Sequence, residues 1–372
     1  MNDRVSELLS AAVDAGATPG AIVAAGTRDC VLVEHAVGRL SYAADADPVT
    51  PDTIYDLASL TKVVVTTPLV MRLYEAGRLS LDAPVTSYVP EFTGAGKDRV
   101  TVEDLLAHCG GLLWWTDLYR QAHDLPPAET ASLYLQRICA LPLDYEPRSR
   151  TVYSDLGFIL LGAVLQRLAG ISLDRLAQKE IFAPLGMDDI RYNPPAALRR
   201  WIAPTEDDPE RGGVLTSQVH DENAHGLGGV APHAGLFGTA RSLVPFAQMW
   251  LAEGTVGGRR VFDDATIRRF RRRAHLAHGS SRALGWDTPA PGSSCGRRFS
   301  PNSFGHTGFT GTSLWIDPDQ DLFVVLLTNR VHPTRDNARL AELRPALHDA
   351  LIDVLTAREP NLPNSPSATR AS

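Results

Sequence analysis

The stretch Asp56-Leu57-Ala58-Ser59-Leu60-Thr61-Lys62 decides how the chain is read. Lys62 is one of three lysines, with Lys97 and Lys179, among 36 basic residues, so almost every positive charge is written as arginine. Arginine stays protonated in proteins, whereas a desolvated lysine can give up its proton. Residues three apart on a helix share a face, so the Lys62 amine can reach the Ser59 hydroxyl. That is the arrangement of a serine nucleophile beside a lysine base. The competing reading is a surface lysine one turn after a helix-capping serine. Val63, Val64, Val65, Leu69 and Val70 favour a buried helix instead, and a lysine in its first turn is then partly desolvated. Ser59 at the helix start also puts its backbone N–H where negative charge is favoured.

Working outward, this helix is predicted to begin at or just before Ser59 and run toward Gly77, kinked where Pro68 removes a backbone donor. Upstream, Val5, Leu8, Leu9, Ala12 and Val13 recur at helical spacing, and the apolar runs 21–25 and 30–37 flank Gly26-Thr27-Arg28-Asp29 as a β-hairpin. From about 81 to 220 the texture is helix and loop. Thr101 is the expected N-cap of a helix with Glu103 and Asp104 in its first turn, 156–168 and 173–181 are helical, and 204–213 is a surface loop. Strand texture returns at 312–317 and 322–327 across a Pro318-Asp319-Gln320 turn. Leu340, Leu343, Leu347, Leu351 and Leu355 form a closing amphipathic helix.

Strands at both ends and helices between them imply an α/β fold. Its antiparallel sheet is formed by the N- and C-terminal segments with flanking helices, and a mostly helical domain is inserted. The expected division is 1–80 with 221–358 as a discontinuous α/β domain, 81–220 as the helical insertion, and 359–372 as a disordered tail rich in Pro, Ser and Asn.

Composition narrows the function. A net charge of -7 gives no reason to expect a nucleic-acid partner, and no run of eighteen apolar residues offers a membrane span. The start, Met1-Asn2-Asp3-Arg4-Val5-Ser6-Glu7, has neither a basic nor an apolar leader pattern, so a cytoplasmic location is expected. Cys30, Cys109, Cys139 and Cys295 are widely separated and read as free thiols. The run Arg268-Arg269-Phe270-Arg271-Arg272-Arg273 reads as a solvated helix face. Gly292-Ser293-Ser294-Cys295-Gly296 matches a nucleophile elbow in letters only. Pro289 and Pro291 precede it and Arg297-Arg298 follow, so it is read as a loop. His220, Asp221, Glu222 and His225 lack a metal-binding helical spacing and are read as a structured loop at the cleft, with no metal.

Two more elements carry chemistry. Tyr153-Ser154-Asp155 precedes the apolar helix, and Tyr and Asp at i and i+2 of an extended segment point to one side. A buried tyrosine followed by an Asp cap is the alternative. Gly305-His306-Thr307-Gly308-Phe309-Thr310-Gly311 is dense enough in glycine for the backbone to approach a ligand closely. An exposed N–H there, with that of Ser59, could form an oxyanion hole.

With Ser59-Leu60-Thr61-Lys62, Tyr153-Ser154-Asp155 and His306-Thr307-Gly308 in this order, the chain resembles the serine β-lactamase and penicillin-binding-protein superfamily. The branch is that of class C β-lactamases, D-alanyl-D-alanine peptidases and related esterases. Asp104-Leu105-Leu106-Ala107-His108-Cys109-Gly110-Gly111-Leu112 and His233-Ala234-Gly235-Leu236-Phe237 also look like the family, over roughly residues 5 to 355. The resemblance implies Ser59 as the acylated nucleophile, Lys62 and Tyr153 as its proton shuttle, and the N–H groups of Ser59 and Phe309 around the oxyanion. His306, Gly308 and Asp155 would line the substrate site, and no cofactor is implied. Asp155 departs from the family's usual asparagine. A carboxylate there would favour the Lys62 ammonium and shift proton transfer toward Tyr153, or it could bind a substrate's cationic or amide group. His306 in place of lysine weakens the positive charge facing a substrate carboxylate.

The expected function is a serine hydrolase of a small-molecule ester, amide or acyl substrate. The alternative is a cytoplasmic transacylase that resolves the same acyl-enzyme with an amine or alcohol. A third reading, an inactive binding domain, conflicts with the intact Ser59, Lys62 and Tyr153.

Overall fold

Alternating side chains along the central strands set the frame. The computed structural model describes residues 2–357, and the tail expected to be disordered lies outside the described residues. Strands β1 (Gly20–Gly26), β2 (Val31–Gly38), β3 (Phe304–Thr307), β4 (Ser313–Asp317) and β5 (Leu322–Thr328) form one antiparallel sheet in the order β3-β4-β5-β1-β2. The termini meet at its centre, where Ile22 lies opposite Leu327 and Val23 opposite Leu326. The hairpin read at 21–37 is β1 and β2.

Successive residues of a strand point to opposite faces. Ala21, Val23, Ala25, Val324 and Leu326 pack with Val5, Leu9, Leu347 and Leu351, so the first and last helices, Asn2–Asp14 and Arg339–Thr356, cover one face together. Ile22, Ala24, Val325 and Leu327 join the larger core on the other face, with Phe246 and Trp250 of helix Ala240–Leu251 and with Val63, Val64 and Leu69. Each Val, Ile or Leu among them contributes about 1.5–3 kcal/mol on burial, so a one-residue slip of either central strand is strongly disfavoured.

The helix after Ser59 differs from expectation. Ser59 sits in a turn, helical structure begins at Leu60, and Lys62–Thr66 is a widened π-helical turn leading into α-helix Thr67–Glu75. In a regular helix Pro68 would face the Val64 carbonyl with no N–H to give it. The π turn instead closes from the Thr67 N–H to the Lys62 carbonyl, and Pro68 falls in the first turn of the α-helix. The missing donor is harmless there, so a bulge replaces the expected kink.

Helix Val102–Leu106 starts as read: Thr101 caps it, and Asp104 returns a bond to the Thr101 N–H at 2.9 Å. Helix Asp155–Ala169 brings Leu156, Phe158, Leu160 and Leu161 into the main core beside the Lys62–Thr66 turn. The 204–213 segment is more ordered than a loop, since Asp207–Asp208 pairs with Gly213–Val214. Arg268 and Arg269 are exposed on helix Asp264–Arg271 and pair with Glu253, Asp264 and Glu103, in keeping with a solvated face, whereas Arg271 is partly buried beside Glu253. Among the described residues no single helix is long and apolar enough to cross a membrane.

Candidate active site

Ser59 is presented by a strained turn. Tyr55–Asp56 pairs with Leu236–Gly238, and the Leu57 N–H then bonds to the Leu236 carbonyl at 2.8 Å. Ala58, directly before the serine, has φ +47°, a conformation that costs a non-glycine residue roughly 1–2 kcal/mol. The buried Asp56 holds it there: Oδ1 accepts the Ala58 N–H at 2.8 Å and Oδ2 the His220 N–H at 2.7 Å. Burial pushes the Asp56 carboxyl upward, and those two N–H bonds only partly counter it.

The glycine-rich strand end is stitched to the same turn. Thr310 Oγ1 donates to the Asp56 carbonyl at 2.8 Å and Thr312 Oγ1 to that of Leu57 at 3.2 Å. A Cβ on Gly308 would lie 2.8 Å from the Leu57 carbonyl oxygen, so close approach requires glycine here. The backbone N–H groups of Ser59 and Phe309 donate to nothing among the described residues. These are the two donors proposed for an oxyanion.

Lys62 is wholly buried, and its Nζ lies 3.1 Å from Ser59 Oγ, 3.0 Å from the His233 carbonyl oxygen and 2.7 Å from Asp155 Oδ1. The Tyr153 ring centroid is 4.9 Å away. Burial acts to lower the Lys62 pKa, but its neighbours, the Asp155 carboxylate foremost, more than offset it, and the ammonium is held above the ordinary lysine value. Burial likewise raises the Tyr153 phenol, with Lys62 opposing, so the resting tyrosine is neutral rather than phenolate. Its buried hydroxyl makes no hydrogen bond of good geometry among the described residues.

Asp155 is the first residue of its helix, not the cap. Ser154 caps, accepting the Gly157 N–H at 3.1 Å, and this frees Asp155 to face Lys62. Tyr153 is backed by His108, whose ring lies 4.6 Å from it and whose Nδ1 accepts the Ser154 N–H at 3.0 Å. His306 is buried 5.8 Å from Tyr153, ring to ring, with Nδ1 on the Thr307 carbonyl at 2.7 Å. Burial, with Lys62 and Arg282 nearby, holds both His108 and His306 neutral. Phe309 is 49 % exposed and stacks on His220 at 5.4 Å.

These side chains open on a cleft of about 410 Å³ that includes Ser59, Tyr153, His306, Gly308 and Phe309. Sequence reading missed its cationic wall of Arg282, Arg330 and Arg344. It also missed Asp56 as a clamp on Ala58 and His108 as a support for Tyr153, although both stand inside quoted motifs. The segment around His220 is a short helix, Glu222–Gly226, capped by Asp221 rather than a loop. Its acids and one histidine are engaged elsewhere: His220 with Glu206, Asp221 with His233, and Glu222 with Arg335, at 2.7–3.0 Å. The Ser293–Cys295 segment is turn and loop, as read.

The family model for beta-lactamases matches residues 5–348. A Salmonella gallinarum protein named as a D-alanyl-D-alanine carboxypeptidase is 32% identical over 317 residues, covering 78% of this chain and 72% of the relative. Among solved structures, EstCE1, described as a hydrolase with promiscuous acyltransferase activity, aligns with TM-score 0.72 and 20% identity over 92% of this chain and 98% of its own. A penicillin-binding protein homologue from Caulobacter crescentus gives 0.70 and 23% over 92% and 96%. A family VIII carboxylesterase gives 0.68 and 23% over 93% and 97%. At those identities the structures establish a shared fold. The full-length match to the family model and the relative sharing nearly a third of its residues carry the further conclusion that the chain belongs to the beta-lactamase family.

Proposed function

We propose that the protein is a serine hydrolase that cleaves an ester or amide through an acyl-enzyme on Ser59. The observation that carries this reading is the fully buried Lys62 ammonium between Ser59 Oγ at 3.1 Å and Asp155 Oδ1 at 2.7 Å. In acylation the Ser59 oxygen bonds to the substrate carbonyl carbon, and the bond to the leaving group breaks. Lys62 is already protonated, so it can take the serine proton only as it passes one of its own to Asp155. The neutral Tyr153 is placed to protonate the leaving group, and the proton held by Lys62 and Asp155 then restores the phenol. Water repeats the sequence on the acyl-enzyme. The free N–H groups of Ser59 and Phe309 would hold the oxyanion, commonly one of the largest contributions to such catalysis.

A second reading is acyl transfer, with an amine or alcohol in place of water. It is favoured by the open cleft and by the acyltransferase activity in the description of one structural neighbour. An inactive binding domain would leave the Lys62–Asp155 pair without a task.

Intact-mass measurement after treatment with a fluorophosphonate tests the nucleophile. One adduct is expected on wild type and none on Ser59→Ala; equal labelling of both would remove Ser59 from the mechanism. Product partitioning of a model ester with added amines separates the two readings. A product ratio indifferent to amine concentration leaves hydrolysis alone.

A further inference from the structure

The basic run 268–273 is a solvated face only in part. Helix Asp264–Arg271 stops there, and Arg272 turns into extended backbone at φ -77° and ψ 139°. Arg268, Arg271, Arg272 and Arg273 then wall a second pocket, of about 430 Å³, which Asn302 and Asp319 also line. None of its lining residues lines the cleft beside Ser59.

The four guanidinium groups are unequally satisfied. Arg268 pairs with Glu253 and Asp264, and Arg271 shares Glu253 at 3.2 Å. Arg271 keeps a buried Nη1 with no partner among the described residues. Burial foremost, with Arg268 and Arg272 adding to it, pushes the Arg271 pKa down, and Glu253 and Asp319 only partly oppose this. Arg273 is fixed in the wall, donating from Nε to Thr288 Oγ1 at 3.0 Å and from Nη2 to the Pro289 carbonyl at 2.6 Å. It meets no carboxylate among the described residues. The Arg272 guanidinium makes neither a hydrogen bond nor an ion pair among them.

A helix C-terminus favours basic residues by itself, because its free carbonyls carry partial negative charge. That accounts for Arg268, Arg269 and Arg271 in the last turn. It does not account for Arg272 and Arg273, which lie beyond the helix. Asp319 is the one acid on the wall. Asn302 Nδ2 donates to its Oδ2 at 2.9 Å, and it pairs with none of the four arginines. A carboxylate in that place repels a bare anion but accepts a hydroxyl group, so the wall suits a molecule that carries both.

We propose that this pocket binds the phosphate ester of a polyol, a sugar phosphate or a nucleotide, with its phosphate on Arg271, Arg272 and Arg273 and a hydroxyl on Asp319. Two arginines without a carboxylate match the two charges of a phosphate monoester. Guanidinium groups bond phosphate oxygens bidentately, and the volume is within the range of small-molecule sites. The site is independent of the acyl-enzyme chemistry at Ser59.

Calorimetric titration at low salt tests it with glucose, inorganic phosphate, glucose 6-phosphate and ADP. Both esters should bind and glucose should not. The tighter ester should exceed inorganic phosphate by about fivefold, the gain from one added hydrogen bond, and should weaken as ionic strength rises. Which ester is tighter tells a sugar site from a nucleotide site. Arg272→Gln removes a side chain that supports nothing else, so the fold is spared, and the tighter ester should lose about tenfold in affinity. Asp319→Asn should bring that ester and inorganic phosphate close together. Arg344→Gln, in the Ser59 cleft, should leave the affinity unchanged. Failure of wild type to bind either ester, or esters bound no better than inorganic phosphate, overturns the proposal. So does an affinity unmoved in both Arg272→Gln and Arg273→Gln, or one lost in Arg344→Gln, which would put the ester in the other cleft.

Discussion

Two buried cations flank the same serine and are treated in opposite ways. Lys62 is sealed from solvent and has a carboxylate at 2.7 Å, a backbone carbonyl at 3.0 Å and the serine itself at 3.1 Å. Arg344 is almost as deeply buried, yet it has one carbonyl and no carboxylate among the described residues. The first arrangement is complete without substrate, so its charge is fixed and its task is to move a proton. The second is incomplete, and its charge is available to whatever enters. Removing one partner of a buried pair costs several kcal/mol, whereas removing an unpaired buried charge can be neutral or favourable. The two positions therefore respond differently to the same chemical change.

Lys62→Arg is the sharpest way to break this contrast. It keeps the charge and the pairing with Asp155 but offers no proton at accessible pH. A loss of roughly 10²–10⁴ in kcat/KM on a model ester is expected, the range of a lost general acid–base group. Activity near wild type would mean that Lys62, like Arg344, serves only as a charge. Next in size are the methionine substitutions, compared by urea unfolding. Lys62→Met strands the Asp155 carboxylate and should cost about 3 kcal/mol, the lower end for a buried pair because that carboxylate keeps 14% exposure. Arg344→Met removes an unpaired charge and one hydrogen bond to Gly311, and should change stability by about 1 kcal/mol or less. Equal losses would show that Arg344 is as well compensated as Lys62. Asp56→Asn tests whether the turn beneath Lys62 is fixed independently of the cation above it. It replaces one acceptor of the two N–H bonds with an amide donor, and should cost about 1–3 kcal/mol together with part of the activity. Unaltered unfolding would release Asp56 from its role as a clamp on Ala58.

The difference between the two cations also marks how much of the site was legible. Lys62 stood out because lysine is rare in this chain and sits one turn from Ser59, a relation within four residues of sequence. The strands themselves were legible for a similar reason, since the unbroken apolar runs at 21–25 and 322–327 are local, but with no polar residue in them the sequence does not say which side chain meets which layer. Arg282, Arg330 and Arg344 carry no such signal. Each is one arginine among many, and whether it has a counter-ion depends on which distant segments fold beside it. The π turn at Lys62–Thr66 was read as a kink because Pro68 announces a missing donor but not how neighbouring carbonyls accommodate it. Ser154 was overlooked as the cap because Asp155 is an equally good capping residue by type. The choice was made by tertiary contacts, Lys62 drawing Asp155 inward while the Ser154 hydroxyl also donates to the Leu113 carbonyl at 2.6 Å.

The subtlest test turns one cation into the other. Asp155→Asn would leave Lys62 as Arg344 is now, buried and without a carboxylate. Asp155 is the leading influence that raises the Lys62 pKa, and burial, which lowers it, would then act with less opposition. In wild type the relay to Asp155 lets a protonated Lys62 work; without it Lys62 must lose a proton before it can accept that of Ser59. The acidic limb of the kcat/KM–pH profile should therefore move upward, toward a lysine pKa that burial lowers. Above that limb the free amine can act as the base, and the change in rate there should be the smallest of the series. A limb that stays in place would show that Asp155 neither relays the proton nor sets the charge of Lys62. A limb that moves downward would show that the carboxylate holds the lysine without relaying its proton.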